Sequence, residues 1–275
     1  MEAETIAAYV ICDDTIKELK ICEDKQTKMS MAEVMTTAII SAVLFAGNLE
    51  KARKALKSKR YFPEMLSKSQ LNRRLHKVPV NVWDAVLDRL AHELEKNTLI
   101  TEFVVDSCPM PACKLARMER SKLYSDKKYL GYCAAKKEFF LGMKLHLISD
   151  VQGNPRQYLL RTASESDIAV LRTMDLNLPK NSSLYGDKAY NDYAYEDELV
   201  QKKQIHLRPV RKRNSKRTGI EYFAKLRRKK RKVIETTFSC IEKLMPRSIH
   251  AVTIVGFALK ITCFVLAYAV NNLVF

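Results

Sequence analysis

Glycine and proline are scarce in this sequence, with 7 and 8 copies among 275 residues. That scarcity excludes a collagen-like chain or one made mostly of linker. It also argues against a many-stranded β-sandwich, which needs frequent tight turns. Acidic residues are short too. Asp and Glu number 31 against 48 Lys and Arg, leaving a net charge of +17. An excess that large favours a polyanionic partner, nucleic acid ahead of an anionic membrane. The seven cysteines include no CxxC pair, and Cys108 and Cys113 have no second pair at zinc spacing. Met1 to Asp14 carries four acids and no positive stretch of the kind that opens a signal peptide. The expectation is a cytoplasmic protein with reduced thiols.

Against these shortages stands an ordinary globular composition, 47% hydrophobic and 29% charged. There is ample material for a core, and the length suits one or two domains. The charge is unevenly placed. Residues 1–50 hold nine acids and four bases, residues 51–80 ten bases and one acid, and residues 208–232 thirteen bases and one acid. Two short stretches therefore supply more than the whole excess. Such runs are either solvated faces or phosphate contacts.

Hydrophobic periodicity divides the chain. Over 30–58, Met31, Val34, Met35, Ala38, Ile39, Ala42, Val43 and Ala46 recur at three- and four-residue steps, which predicts a helix. Ser30 is its expected N-cap, with Glu33 completing a capping box. A second helix is expected over 69–77. Leu71, Leu75, Val78 and Val82 form its apolar stripe, and Arg73, Arg74, His76 and Lys77 lie off it. A third runs through Trp83, Val86, Leu87, Leu90 and Leu94. Residues 1–96 thus read as an all-helical module.

From residue 97 the texture changes. Leu99 to Val105 is a short apolar run of the buried-strand type. Leu141 to Ser149 alternates, with Leu141, Met143, Leu145 and Leu147 on one face and Lys144, His146 and Ile148 on the other. A turn over Asp150 to Pro155 returns the chain as a strand over Arg156 to Arg161. Short strands over 182–186 and 204–207 then alternate with helices, and a long helix is expected over 221–245. This order predicts an α/β domain over 97–275, a mixed sheet with flanking helices. Ala251 to Phe275 is apolar except for Lys260. A membrane span needs about 20 apolar residues. The charge in mid-segment and the lack of a positive flank favour a C-terminal helix closing the core, with no membrane partner.

Three acids occupy informative places. Asp106 follows the strand Phe103-Val104-Val105, Asp187 follows Leu184-Tyr185-Gly186, and Glu235 lies in the late helix just past the basic run. Three converging carboxylates cannot all stay charged without a counter-ion. Two Mg²⁺ ions, or Mn²⁺ in their place, would supply it and would suit in-line phosphoryl displacement. Glu242 shares the helix face of Glu235. Glu235 is preferred because Arg231, one turn earlier, can reach the same phosphate region. Lys188 adds a cation beside Asp187, and Lys144 and His146 share a strand face that could meet DNA.

These stretches resemble the DDE transposases of bacterial insertion sequences. The matching segments are Phe-Val-Val-Asp-Ser (103–107), Gly-Met-Lys-Leu-His-Leu-Ile (142–148), Leu-Tyr-Gly-Asp-Lys-Ala-Tyr (184–190) and Arg-Lys-Val-Ile-Glu-Thr-Thr-Phe (231–238). Ser-Lys-Ser-Gln-Leu-Asn-Arg-Arg-Leu-His (67–76) is similar to the family's DNA-binding part. The resemblance covers nearly the whole chain. It implies an RNase H-like catalytic domain over 97–275, with Asp106, Asp187 and Glu235 as metal-binding triad, behind an N-terminal DNA-binding module over 1–96. It departs from the pattern Tyr-x2-Arg-x3-Glu-x6-Lys at two places: position 228 is Arg, and Lys243 comes one residue late, behind Glu242.

The implied activity is cleavage of DNA at the element's terminal inverted repeats and transfer of the 3′-hydroxyl strand to target DNA. A homodimer or larger synaptic assembly on the bacterial nucleoid is implied as well. The expected DNA contacts are Arg73, Arg74, Lys77, Lys144, His146, Lys188, Arg227, Arg228, Lys229, Lys230 and Arg231. Two rivals remain open, a stand-alone nuclease of the same fold and a non-catalytic DNA-binding descendant of such an element.

Overall fold

A computed structural model describes the chain apart from residues 25, 96–98, 122, 134–135, 212–214 and 218–220, and apart from the side chains of 117 and 221–229. The chain forms two compact units, one of residues 1–96 with 240–275 and one of residues 97–239.

The first unit is helical: α1 (Glu2–Glu18), α2 (Met31–Phe45), α3 (Leu49–Leu56), α4 (Lys68–Leu75), α5 (Val80–Glu95) and, from the far end of the chain, α9 (Ile254–Val274). The capping box forms at the head of α2. Ser30 Oγ accepts from the Glu33 amide at 3.2 Å, and the Glu33 carboxylate accepts from the Ser30 amide at 2.7 Å. The single helix expected over 30–58 is interrupted. Ala46 and Gly47 take φ of 47° and 76°, a left-handed turn that ends α2, and Asn48 caps α3. The helix expected from Ser69 starts one residue earlier, capped by Ser67. An unexpected helix, α1, buries Ala8, Ile11, Cys12 and Ile16.

The C-terminal helix departs from expectation. α9 is long and apolar enough to cross a membrane by length and composition. It packs instead on α1, α2 and α5, burying Phe257, Ile261, Phe264 and Val265. Its core is therefore that of the helical unit and not of the sheet. A helix apolar on most sides needs neighbours on most sides, and three helices provide them.

The second unit contains a mixed sheet: β1 (Glu102–Cys113), β2 (Leu130–Cys133), β3 (Glu138–Asp150), β4 (Pro155–Thr162), β5 (Ser183–Gly186) and β6 (His206–Pro209). The strand order is β2-β3-β1-β5-β6, with β4 also paired to β3. β1, β2 and β4 run antiparallel to β3, whereas β5 and β6 run parallel to β1. The parallel steps need crossovers. The helices α6 (Asp167–Thr173), between β4 and β5, and α7 (Tyr193–Lys203), between β5 and β6, lie in the connections. α8 (Glu221–Leu244) follows, and the boundary between the units falls within it, after Ser239. Phe103, Val105, Ile148, Leu184, Tyr190 and Leu207 belong to one buried cluster.

Two strands differ from the sequence reading. β1 does not stop at Val105 but continues to Cys113. Its parallel pairing with β5 ends at Val104–Tyr185, while pairing with β3 goes on. Past that point one edge of β1 has no strand partner among the described residues, which suits Pro109 and Pro111 because proline has no amide to offer a neighbour. On β3 both faces are covered, with His146 and Ile148 buried as deeply as Leu145 and Leu147.

Candidate active site

The ends of the parallel pairing define the site. Phe103 sits opposite Leu184 and Val104 opposite Tyr185. Asp106 lies two residues past the last of these pairs on β1 and Asp187 two residues past it on the other chain segment, close enough for the charge of Asp187 to act on Asp106. Adjacent strands lie about 4.8 Å apart. Asp106 is a residue within its strand, paired with Leu147 of β3, and not the strand's last residue. β5 ends at Gly186, so it has no strand pairing with Asp106. Asp187 then caps a short turn, its Oδ1 accepting from the Ala189 amide at 2.7 Å. Gly186 lets that turn close. A Cβ there would meet the ring of buried Tyr190 at 2.9 Å.

Asp106 is 17% exposed and accepts from the Ser107 amide at 2.8 Å. Burial pushes its pKa up to about 6. The Ser107 amide and Arg231 oppose the shift, and the charges of Asp187 and Asp167 add to it.

α8 brings the third acid. Glu235 lies on its exposed side, one turn beyond Arg231. The Arg231 Nε is 3.4 Å from Glu235 Oε1 and 4.0 Å from Asp106 Oδ2. One guanidinium thus links the helix carboxylate to the strand carboxylate. Both helix side chains are about half exposed, so these pairs are weak and screened, about 0–1 kcal/mol each. Among the described residues no three of His, Cys, Asp and Glu stand together as a ready metal cage. The donor chemistry nonetheless fits a hard divalent cation. Asp106 on β1 and Asp187 just past β5 repel one another, Asp106 is largely buried, and the third acid reaches Asp106 through a cation.

α8 is tied to the sheet beside Glu235. The buried Thr237 hydroxyl donates to the Gly153 carbonyl oxygen at 3.0 Å. Gly153 has φ of 97°, a backbone setting that favours glycine. The turn around it is braced by Asp150, whose Oδ1 accepts from the Gln152 and Asn154 amides at 2.8 and 2.9 Å.

A fourth acid, Asp167, reads in the sequence only as opening a helix. Its Oδ1 accepts from Ser107 Oγ at 2.9 Å and from Lys144 Nζ at 3.3 Å. The only signal that could have found it is its sequence position, three residues from the Ser164 that opens the α6 turn, which carries no chemistry by itself.

Several expected DNA contacts have other roles. Lys144 is spent on Asp167 and the Glu165 carbonyl. His146 is 1% exposed, and burial lowers its pKa, so it is a neutral core residue. Lys230 is 8% exposed, ion-paired with Glu102 and 4.5 Å from the Tyr185 ring centre. Burial works against the charge on Glu102, but hydrogen bonds from Lys230 and Tyr185 outweigh it and hold the carboxyl below its usual range. Arg74 pairs with Glu23 at 2.9 Å. Arg73, Lys77 and Lys188 are exposed, as is Arg231 beside the acids. The side chains of Arg227, Arg228 and Lys229 lie outside the described residues.

Residues 95–250, more than half of the chain, match the family described as Transposase DDE domain. Among solved structures the chain is similar to one described as the cryo-EM structure of a piggyBac transposase synaptic complex with hairpin DNA. The TM-score is 0.50 and the identity 10%, over 98% of this chain and 74% of that one. At such identity the likeness concerns the fold. No curated protein sequence matches.

Proposed function

We propose that this chain, which belongs to the DDE transposase family, cuts DNA at the terminal inverted repeats of its own element and joins the freed 3′-hydroxyl to target DNA. The element is a bacterial insertion sequence, and the protein acts on nucleoid DNA in the cytoplasm as a homodimer or larger synaptic assembly. The observation that carries this reading is that Asp106 and Asp187 follow the last β1–β5 pair on both sides and act on one another, with Arg231 joining Asp106 to Glu235. The sheet order supports an RNase H-like catalytic domain, since the antiparallel strands β1 to β4 are followed by the parallel β5 and β6, joined through helices.

DDE transposase domains generally use divalent metals. Asp106, Asp187 and Glu235 would hold two Mg²⁺ or Mn²⁺ ions, which when bound neutralise charge and polarise the scissile phosphate. The chain's own groups prepare that chemistry. Asp106 must be ionised to act as a ligand, so its burial favours the metal-free protonated acid below about pH 6. Arg231 offers a cation to the phosphate at the point where the two carboxylates converge. Lys188 adds a second cation at the mouth of the site, while Arg73 and Lys77 of the helical unit contact the repeats.

The test is cleavage of a duplex carrying an element end, in Mg²⁺, by the natural protein and by Asp106→Asn and Glu235→Gln. Both variants should lose cleavage and strand joining while retaining end binding. Near-normal cleavage by either would remove that residue from the triad. Cutting without joining by the natural protein would mark a nuclease instead.

A further inference from the structure

The helical unit carries a feature that transposition chemistry does not use. A cavity of 680 Å³ lies within residues 46–72 and 246–264, lined among others by Lys68, Ser69, His250 and Lys260. Lys260 is the one charged residue in the 21 of α9. Lys260 is only half-buried, so its charge bears part of the cost of leaving water. Among the described residues, its ammonium is bonded to the His250 carbonyl oxygen, a neutral acceptor. Burial lowers its pKa, and no carboxylate acts to restore it. The acid on the cavity wall, Glu50, is engaged first by Arg53, with hydrogen bonds of 2.7 and 2.8 Å, and more weakly by the charges of Lys54 and Lys68. Lys68, from the first turn of α4, adds a second ammonium to the lining.

The geometry points to an anion site: we propose that this cavity takes a phosphate group, held by the ammonium groups of Lys260 and Lys68. Lysine serves phosphate as a compact point charge with three donors. The phosphate belongs either to a DNA backbone or to a free phosphate or nucleotide, and one chemistry serves both.

The experiment titrates the full chain with inorganic phosphate by calorimetry, alongside Lys260→Met, Lys68→Gln and, as a control for diffuse charge, Lys54→Gln. The Lys54 side chain is 73% exposed. Lys260→Met keeps the length and apolar character of the stem, so it should leave the melting temperature unchanged or raise it. Phosphate binding should weaken about tenfold in Lys260→Met and in Lys68→Gln, the scale of one charge-assisted hydrogen bond, and stay unchanged in Lys54→Gln. Competition of phosphate with duplex DNA in the natural protein, absent in Lys260→Met, would identify a DNA phosphate as the occupant. Saturable phosphate binding without competition would identify a free phosphate or nucleotide. No binding by the natural protein would overturn the proposal. So would equal losses in all three variants, or a destabilised Lys260→Met that binds phosphate normally.

Discussion

The Thr237 hydroxyl donates a hydrogen bond of 3.0 Å to the Gly153 carbonyl oxygen, across 84 residues of sequence. Thr237 lies two residues past Glu235 on α8, and Gly153 lies in the turn between β3 and β4. The bond therefore fixes the rotation of the helix that carries Glu235 and Arg231 relative to the sheet that carries Asp106. Replacing Thr237 by Val leaves the Gly153 oxygen unsatisfied, a loss of about 1–3 kcal/mol. Cleavage per folded molecule should fall about tenfold, DNA binding should hold, and Thr237→Ser should restore the rate. Single-turnover cleavage at the natural rate by Thr237→Val would show that the bond does not position the site.

Asp106 makes a pH-dependent contribution to stability whose sign is opposite to that of a salt-bridged acid. Its folded pKa is about 6, raised from 3.8 mainly by burial. Between those values the folded chain keeps a proton that the unfolded chain releases. Stability therefore falls as pH rises through this window, and above about pH 6 the whole penalty is present. Asp106→Asn removes the penalty. At pH 7.5 it should be more stable than the natural protein by roughly 1–3 kcal/mol, with the difference shrinking toward pH 4, while cleavage is lost. Urea unfolding at the two pH values measures this. A variant less stable than the natural protein at pH 7.5 would contradict the burial argument.

The basic run divides into two kinds of residue. Lys230 is buried on Glu102 and Tyr185, so Lys230→Gln should cost about 1–3 kcal/mol of stability, less than a fully buried pair because Glu102 is partly exposed. Its effect on the salt dependence of DNA binding should be negligible. Changing Arg227, Arg228 and Lys229 together to Gln should instead weaken binding to all sequences alike. The slope of log affinity against log salt should become shallower by about 0.9 for each phosphate that is no longer neutralised. Gel-shift titrations at several salt concentrations, beside thermal melts, separate the two. A salt slope altered by Lys230→Gln alone would place that lysine on DNA after all.

A similar division applies on α4. Arg73 and Lys77 are exposed, whereas Arg74 is paired with Glu23. Arg73→Ala with Lys77→Ala should weaken binding to the element ends with little change in melting temperature. Arg74→Ala should lower the melting temperature slightly and affect end binding less. Unchanged end affinity in the Arg73 and Lys77 double variant would exclude α4 as a reader of the repeats.

The sequence by itself determined the local features whose causes lie within a few residues. Ser30 and Glu33 specified a helix start because both halves of the capping box are local hydrogen bonds. The apolar run before Asp106 specified a strand, and the regular stripe from Trp83 to Leu94 specified α5. The acids at 106, 187 and 235 were also legible as candidates, because carboxylates beside apolar strands and a basic run need a counter-ion. The α1 stripe of Ala8, Ile11, Cys12 and Ile16 follows the same three- and four-residue spacing and has an equally local cause.

Tertiary structure alone decided whatever depended on partners far along the chain. Alternation on β3 implied one exposed face, yet neighbours cover both, and so His146 is core. Charge density marked Lys230 as a phosphate contact, but Glu102, 128 positions earlier in the numbering, claims it. The apolar tail asked for burial without saying where, and the helices at the other end of the chain supplied the place. Asp167 opens α6 as its sequence position implies, but only folding set Ser107 and Lys144 against it. Periodicity and capping are set by backbone geometry over one or two turns. Burial and pairing are set by which distant surfaces meet, and for these residues only the folded chain specifies that.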